Sequence, residues 1–297
     1  MNLLHMSDLG LPGAARVLSR AAELARGAAP RRLGGAVLLA FLQPSTRTRL
    51  GFSRAAIDVG SVPVTLDGVR DAPSTSTPES IVDTLAVASA YFEVVVVRSA
   101  ASALEIPTSD AAWVSGGLGT DEHPTQALVD LFAVQRECGK LEGLRWGLLG
   151  DLSISRAARS LLRALRWFAP KEVRILAPTG RGADLADLQQ LPTRNAGPGE
   201  VAGLDVLYVA GLPPGSGPTA LDDHGRREWR VDRKVIDRLD SSARVLCPLP
   251  RIDEIDPDVD GDPRCAWFRQ SAGGRYVRTA VLEAVWPPVA VRRTEVG

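Results

Sequence analysis

Apolar runs of strand length alternate along the chain with stretches whose apolar residues recur every three or four positions. That alternation is expected of parallel sheets covered by helices. In the first half, strands are expected at 35–42, 61–67, 92–98 and 111–116. Behind the first of them, Phe52, Ala55, Ala56 and Val59 fall on one helical face. The next helix is expected to take Thr77 as its N-cap and Pro78 as its first residue, running to about Tyr91. A third helix, "HPTQALVDLFAVQREC", gathers Leu128, Leu131 and Phe132 on one side and stops before Gly139. A second series opens with the strand "LRWGLLGDL". It continues with a helix at 154–168, strands at 172–177 and 204–210, a helix near 232–240, a strand at 243–248 and a closing helix from about 274 to 286. The segments "PTGRGADLADLQQLPTRNAGPGE" and "GLPPGSGPTALDDHGRREW" read as loops. The expected fold class is α/β, two consecutive parallel-sheet units at 1–140 and 141–297.

Composition narrows the function without naming it. The 297 residues, 45% hydrophobic and 24% charged, suit two ordinary globular domains, and no run approaches the ~20 apolar residues of a membrane span. The N-terminal stretch reads as an amphipathic helix, not a secretion signal, and Cys138, Cys247 and Cys265 are too widely spaced for a disulfide framework. A cytoplasmic protein is expected. Zero formal net charge favours neither nucleic acid nor a membrane surface, so any anion must be held locally. Only three of the 35 basic residues are lysines, none before Lys140.

Local chemistry is concentrated where expected strands end. In "PSTRTR", Ser45, Thr46, Arg47 and Thr48 stand at a helix N-terminus, where free N–H groups and the helix dipole attract an anion such as phosphate. A simple helix cap with solvated arginines is the alternative. Arg98 ends the strand "VVVVR". His123 and Gln126, in "HPTQ", open a helix, where a neutral imidazole can polarise a carbonyl and an amide can hold an amino group. Capping and packing are the alternative there. "CPLPR" ends a strand with two prolines, which frees carbonyls from the sheet. Together these parts suit a phosphate joined to a carbonyl that bears an NH2 group, which is carbamoyl phosphate.

At this point the chain resembles the aspartate/ornithine carbamoyltransferase family. "FLQPSTRTRLGF", "VVVVRS", "DEHPTQALVDLF", "GLLGDLSISRAARSLL", "CPLPRIDEI" and "FRQSAGGRYVRTAVL" occur in the family's order and spacing, nearer the aspartate branch. The resemblance implies a carbamoyl-phosphate domain, an amino-acid domain and a C-terminal helix that packs back on the first domain. It implies that Ser45, Thr46, Arg47, Thr48 and Arg98 bind phosphate, with Thr48, Arg98 and His123 also directed at the carbonyl oxygen. Gln126 and the carbonyls of Leu249 and Pro250 would hold the carbamoyl NH2. Arg47, Thr48, Arg98, His123 and Gln126 form the implied catalytic set. Arg156 would grip an acceptor carboxylate, and Arg278 would lie near that site. No cofactor or metal is implied, and a homotrimer with shared active sites is.

Three departures fall at functional positions. Ser76 and Thr77 replace the family's loop lysine in "DGVRDAPSTSTPES", leaving Arg70 as its cation. Gly211 and Pro213 stand where the aspartate branch has an acceptor-binding arginine and glutamine, and Cys247 stands where it has histidine. Losing that arginine removes a contact worth about 1.5–3 kcal/mol. The leading expectation is therefore carbamoyl transfer to an amino-acid-like acceptor other than aspartate. The alternatives are ordinary aspartate carbamoylation, with Arg226, Arg227 or Arg230 substituting, and a non-catalytic structural or regulatory paralogue.

Overall fold

The computed structural model of the chain describes residues 1–67, 80–101, 104–212 and 221–287. Helix α1 (Gly10–Ala25) precedes the first sheet, which is built from β1 (Ala36–Phe41), helix α2 (Thr46–Asp58), β2 (Val62–Asp67), helix α3 (Ile81–Ser89), β3 (Val94–Ser99) and β4 (Ala112–Leu118). All pairings are parallel and the spatial order is β2-β1-β3-β4. Val37 to Phe41 and Val94 to Val97 are buried, as continuous apolar runs demand when both sheet faces are covered. Helix α4 (Pro124–Cys138) follows and ends at Gly139, whose φ of 75° provides the left-handed stop.

The second sheet comprises β5 (Arg145–Gly150), helix α5 (Arg156–Leu165), β6 (Glu172–Leu176), helix α6 (Leu185–Leu188), β7 (Thr193–Asn195), β8 (Val206–Gly211), helices α7 (Asp223–Glu228) and α8 (Arg233–Ile236), and β9 (Arg244–Leu246). Its order is β7-β6-β5-β8-β9, again parallel. The chain closes with helix α9 (Trp267–Val285), which returns to the first unit and packs on α1, α2 and α4. Ion pairs from Arg275 to Asp58 (2.7 Å) and from Arg20 to Glu283 (2.6 Å) fasten it there.

Each sheet reverses its winding direction once, between β1 and β3 in the first and between β5 and β8 in the second. The carboxyl ends of strands at such reversals leave a crevice, the usual ligand position in open α/β sheets.

The structure corrects several expected boundaries. Helix α3 starts at Ile81, not at Pro78, with Ser80 as its N-cap, because the Ser80 hydroxyl accepts from Asp83 N–H. The earlier candidates Thr77 and Pro78 lie outside the described residues. Short elements β7, α6 and α7 occupy segments expected as loops, since three to six residues are too few to show a period. The last helix begins at Trp267, seven residues before the expected Gly274. Gly273 and Gly274 sit inside the helix, where it lies very close to α4: a Cβ on Gly273 would stand 3.3 Å from the Phe132 ring. Gly273→Leu is therefore expected to push α9 off α4 and cost about 1–3 kcal/mol, read as a lower denaturation midpoint. An unchanged midpoint would contradict that packing account.

Candidate active site

Both crevices open into one cavity of about 230 Å3. From the first unit, Ser45, Arg47 and Thr48 reach it from the loop and first turn after β1, Arg98 from the end of β3, and His123 and Gln126 from the start of α4. Across the gap, Ile154, Ser155 and Arg156 come from the β5–α5 turn, Ala210 from the end of β8, and Pro248, Leu249 and Pro250 from the segment after β9.

Ser45 occupies the N-cap position of α2 but its hydroxyl makes no capping bond. The alternative of a serine spent on its helix is thus set aside, and the first N–H groups of α2 remain available for an anion. Arg98 is steadied by one bond, from Nη1 to the Gly116 carbonyl (2.9 Å). Its buried Nε finds no partner among the described residues. Arg156 reaches back across the gap and donates to the carbonyl of Gly119 (2.8 Å) and to Gln43 Oε1 (3.0 Å). Gly117 makes this crowding of guanidinium groups feasible. At φ 109°, it leaves open a space where a Cβ would lie 2.9 Å from Arg98 Nη1 and 3.0 Å from Arg156 Cζ.

Among the described residues, no carboxylate lines the cavity. Arg98 is pushed down to about 10, first by burial and then by repulsion from Arg156 and Arg47. Burial also lowers Arg47 and Arg156. A dianion between these groups would neutralise charge that the protein itself leaves uncompensated.

His123 is buried, and burial followed by the charges of Arg98, Arg156 and Arg278 holds its imidazole well below the ordinary 6.5, so the ring is neutral. Its Nε2 lies 3.5 Å from Thr48 Oγ1 and its Nδ1 3.4 Å from Thr125 Oγ1, while its backbone N–H donates to Ser160 Oγ (2.9 Å). Ser160 in turn donates to the buried Glu122 (3.2 Å), which pairs with Arg163 and accepts from Met6 N–H (2.9 Å). Glu122 and Ser160 lie inside the quoted motifs, but nothing in their spacing marked them as supports.

The remaining candidates lie elsewhere. Thr46 is exposed and does not reach the cavity. Arg278 is buried behind it, in a narrow recess shared with Arg47, Gln126, Cys247 and Gln270. Gly211 ends β8 without lining the cavity, and Pro213, Arg70, Ser76 and Thr77 lie outside the described residues. Gly211 has φ 95°, so an arginine side chain at this backbone position would be strained. Arg226 pairs with Asp253 and Arg230 with Asp256 (3.3 Å), and neither lines the cavity. The Cys247 thiol, pushed up to about 12 by burial, is no nucleophile. Among the described residues, no group of three or more metal-ligating side chains is assembled, and no helix is long and apolar enough to cross a membrane.

Two parallel α/β units share an arginine-rich cleft between their switch points, a place suited to a small anionic ligand. The chain belongs to the aspartate/ornithine carbamoyltransferase family: residues 1–136 match its carbamoyl-P binding domain and residues 142–285 its Asp/Orn binding domain. The aspartate carbamoyltransferase catalytic subunit of Korarchaeum cryptofilum is 33% identical over 96% of this chain and 98% of the relative. The chloroplastic aspartate carbamoyltransferase of Oryza sativa is 34% identical over 87% of this chain and 75% of its own length. Among solved structures, aspartate transcarbamoylase from Trypanosoma cruzi in complex with carbamoyl phosphate and aspartate superimposes with a TM-score of 0.85 at 26% identity, covering 96% and 95% of the two chains. The catalytic subunit of M. jannaschii aspartate transcarbamoylase gives a TM-score of 0.81 at 29% identity, covering 96% and 97%. The protein is thus a carbamoyltransferase that uses carbamoyl phosphate.

Two outcomes are expected at this site. Gly117→Ala should displace both Arg98 and Arg156, lowering kcat/KM at least about tenfold at a stability cost of about 1–3 kcal/mol from the positive φ; full activity in the variant would remove Gly117 from the account. The His123 ring should stay neutral in nitrogen chemical-shift titrations carried below its ordinary 6.5. Since the unfolded imidazole takes up its proton at about 6.5 and the folded one does not, the stability contributed by His123 is present above that value and lost as pH falls through it.

Proposed function

We propose that the protein transfers the carbamoyl group of carbamoyl phosphate to the α-amine of aspartate. The observation that carries this is the shared cavity: Ser45, Arg47, Thr48 and Arg98 around a phosphate position, His123 and Gln126 beside it, and Arg156 facing them from the other unit. The naming of the relatives supports aspartate over the shifted acceptor expected from Gly211.

In this reading Arg47, Arg98 and the N–H groups of α2 bind the phosphate. Thr48, Arg98 and the neutral His123 donate to the carbonyl oxygen as negative charge builds on it during attack by the amine, in the manner of an oxyanion hole. Gln126 and the carbonyls after β9, to which Pro248 belongs with Leu249 and Pro250, hold the NH2. Arg156 takes the α-carboxylate of the acceptor. The amine's pair forms the new C–N bond, the C–O bond to phosphate breaks, and phosphate leaves with that electron pair and takes up the proton that the amine gives up.

A second reading keeps the donor chemistry but shifts the acceptor to an amino acid without a side-chain carboxylate. It is favoured by Gly211 alone, a position at the end of β8 that carries no cationic side chain. A closed homotrimer is part of the proposal, supported by the resemblance and by the apolar Leu50, Ile57 and Val62, each more than half exposed on α2 and β2; sedimentation should give three times the chain mass, and a monomer at micromolar concentration would oppose it.

The test is direct. With carbamoyl phosphate as donor, the enzyme should form carbamoyl-aspartate, and kcat/KM for aspartate should exceed that for small neutral or basic amino acids. A reversed order would establish the second reading. Arg47→Ala should abolish most of the thermal shift that carbamoyl phosphate produces in the wild type; an equal shift in both proteins would remove the α2 N-terminus from the binding argument.

A further inference from the structure

Behind Gln126 lies a buried carboxylate that the proposed chemistry does not use. Asp130, one turn along α4, is 0% exposed. Its Oδ1 accepts from Gln126 Nε2 (2.7 Å) and from Gln270 Nε2 of α9 (2.6 Å), and its Oδ2 accepts from the Tyr208 hydroxyl of β8 (2.9 Å). Among the described residues, the one charged side chain that bears on it is Arg278, which acts through its charge and not as a hydrogen-bond donor. An ionised carboxylate only accepts hydrogen bonds, so both glutamines must turn their NH2 ends toward it. Each carbonyl oxygen then points the opposite way. That of Gln270 accepts the Cys247 N–H (2.9 Å), anchoring the segment that runs into the cavity wall at Pro248 and Leu249. That of Gln126 is left for the cavity its side chain lines.

We propose that Asp130 is a positioning residue that makes the site selective for an acyl phosphate bearing an NH2 group, by fixing the Gln126 amide with its oxygen toward the ligand and by anchoring the Cys247–Pro250 segment through Gln270. This rests on the reading that carbamoyl phosphate lies in the cavity with its NH2 toward Gln126. A methyl group in place of that NH2 offers Gln126 no hydrogen to accept and leaves its oxygen unpaired. Without the carboxylate, nothing dictates the direction of either amide.

The polarity is also open to pH. Burial raises Asp130 to about 6, against the hydrogen bonds from Gln126, Gln270 and Tyr208 and the charge of Arg278 on α9, which favour the ionised form. The Cys247 thiol, protonated to about 12, adds no charge at neutral pH. Protonated Asp130 becomes a donor, and Gln126 is then free to present its NH2 to the cavity, donor against donor. Selectivity is therefore present above about 6 and lost as pH falls through it.

The experiment measures dissociation constants of carbamoyl phosphate, acetyl phosphate and inorganic phosphate by calorimetry, for the wild type and Asp130→Asn. The wild type should prefer carbamoyl over acetyl phosphate by at least about tenfold. The variant should lose most of that ratio while its affinity for inorganic phosphate changes less than about twofold, because the phosphate position lies on α2 and β3. A wild-type ratio in the folded variant overturns the role of Asp130 and leaves the cavity reading intact. No preference in the wild type overturns both, and equal weakening toward all three ligands reduces Asp130 to a structural residue. A second arm needs no change at Asp130: in the wild type the carbamoyl-to-acetyl ratio should fall as pH is lowered through about 6, and in Tyr208→Phe, which removes one donor to the carboxylate, that fall should begin at higher pH. A ratio flat across this range, or the same midpoint in both proteins, overturns the proposal.

Discussion

Uncompensated positive charge is the constraint around which the cavity is built. Arg47, Arg98 and Arg156 come from three elements of two units and meet where, among the described residues, no carboxylate lines the wall. Their repulsion and desolvation cost stability, visible in the lowered Arg98, and the fold absorbs that cost without neutralising it. Elsewhere in the molecule arginines are spent on acids, as in Arg20–Glu283, Arg275–Asp58 and the buried Arg181–Asp151 pair at 2.8 Å. The contrast separates guanidinium groups that hold the structure from those that, in the proposed function, meet a ligand.

The surrounding structure keeps these groups in place. Sheet reversals put Arg98 and the α2 N-terminus on one side and Arg156 on the other. Gly117 admits both guanidinium groups beside one backbone segment, and Gly116 accepts from Arg98. Glu122 and Ser160 tether the backbone of His123, and Asp130 does the same for the amide of Gln126. The two carboxylates act alike: each is buried, accepts several donors from different elements, and ties α4 (Asp130) or the turn leading into it (Glu122) to a helix or strand of the second unit. Distance from the ligand does not make them incidental, because they set the direction of the groups that face it.

Much of this was legible in the sequence because strands and their terminal residues are local features. The apolar runs fixed the strand positions to within about two residues, and Arg98, His123 and Arg156 were found at strand ends and helix starts. Long-range partners were not legible. Gln270 and Asp130 meet only because α9 folds back across the chain, and no periodicity encodes that meeting. The start of α9 is placed seven residues late for the same reason: the role of Gly273 lies in its closeness to Phe132 on another helix, not in local propensity. Thr46 shows the opposite error, since membership of a motif does not decide which way a side chain points. Gly211 was read as a missing side chain, whereas its positive φ shows that the backbone itself differs there from what an arginine would adopt.

The central claim is that the arginine cleft is a site for the phosphate of an acyl donor, oriented by α2 and shared between the two units. Diffraction from crystals soaked with carbamoyl phosphate tests it most directly. The account predicts the anion at the first turn of α2, bonded to Arg47 and Arg98, with its carbonyl oxygen beside Thr48 and His123 and its NH2 beside Gln126. Density for the ligand away from those arginines, or reversed so that the NH2 meets His123, would contradict it.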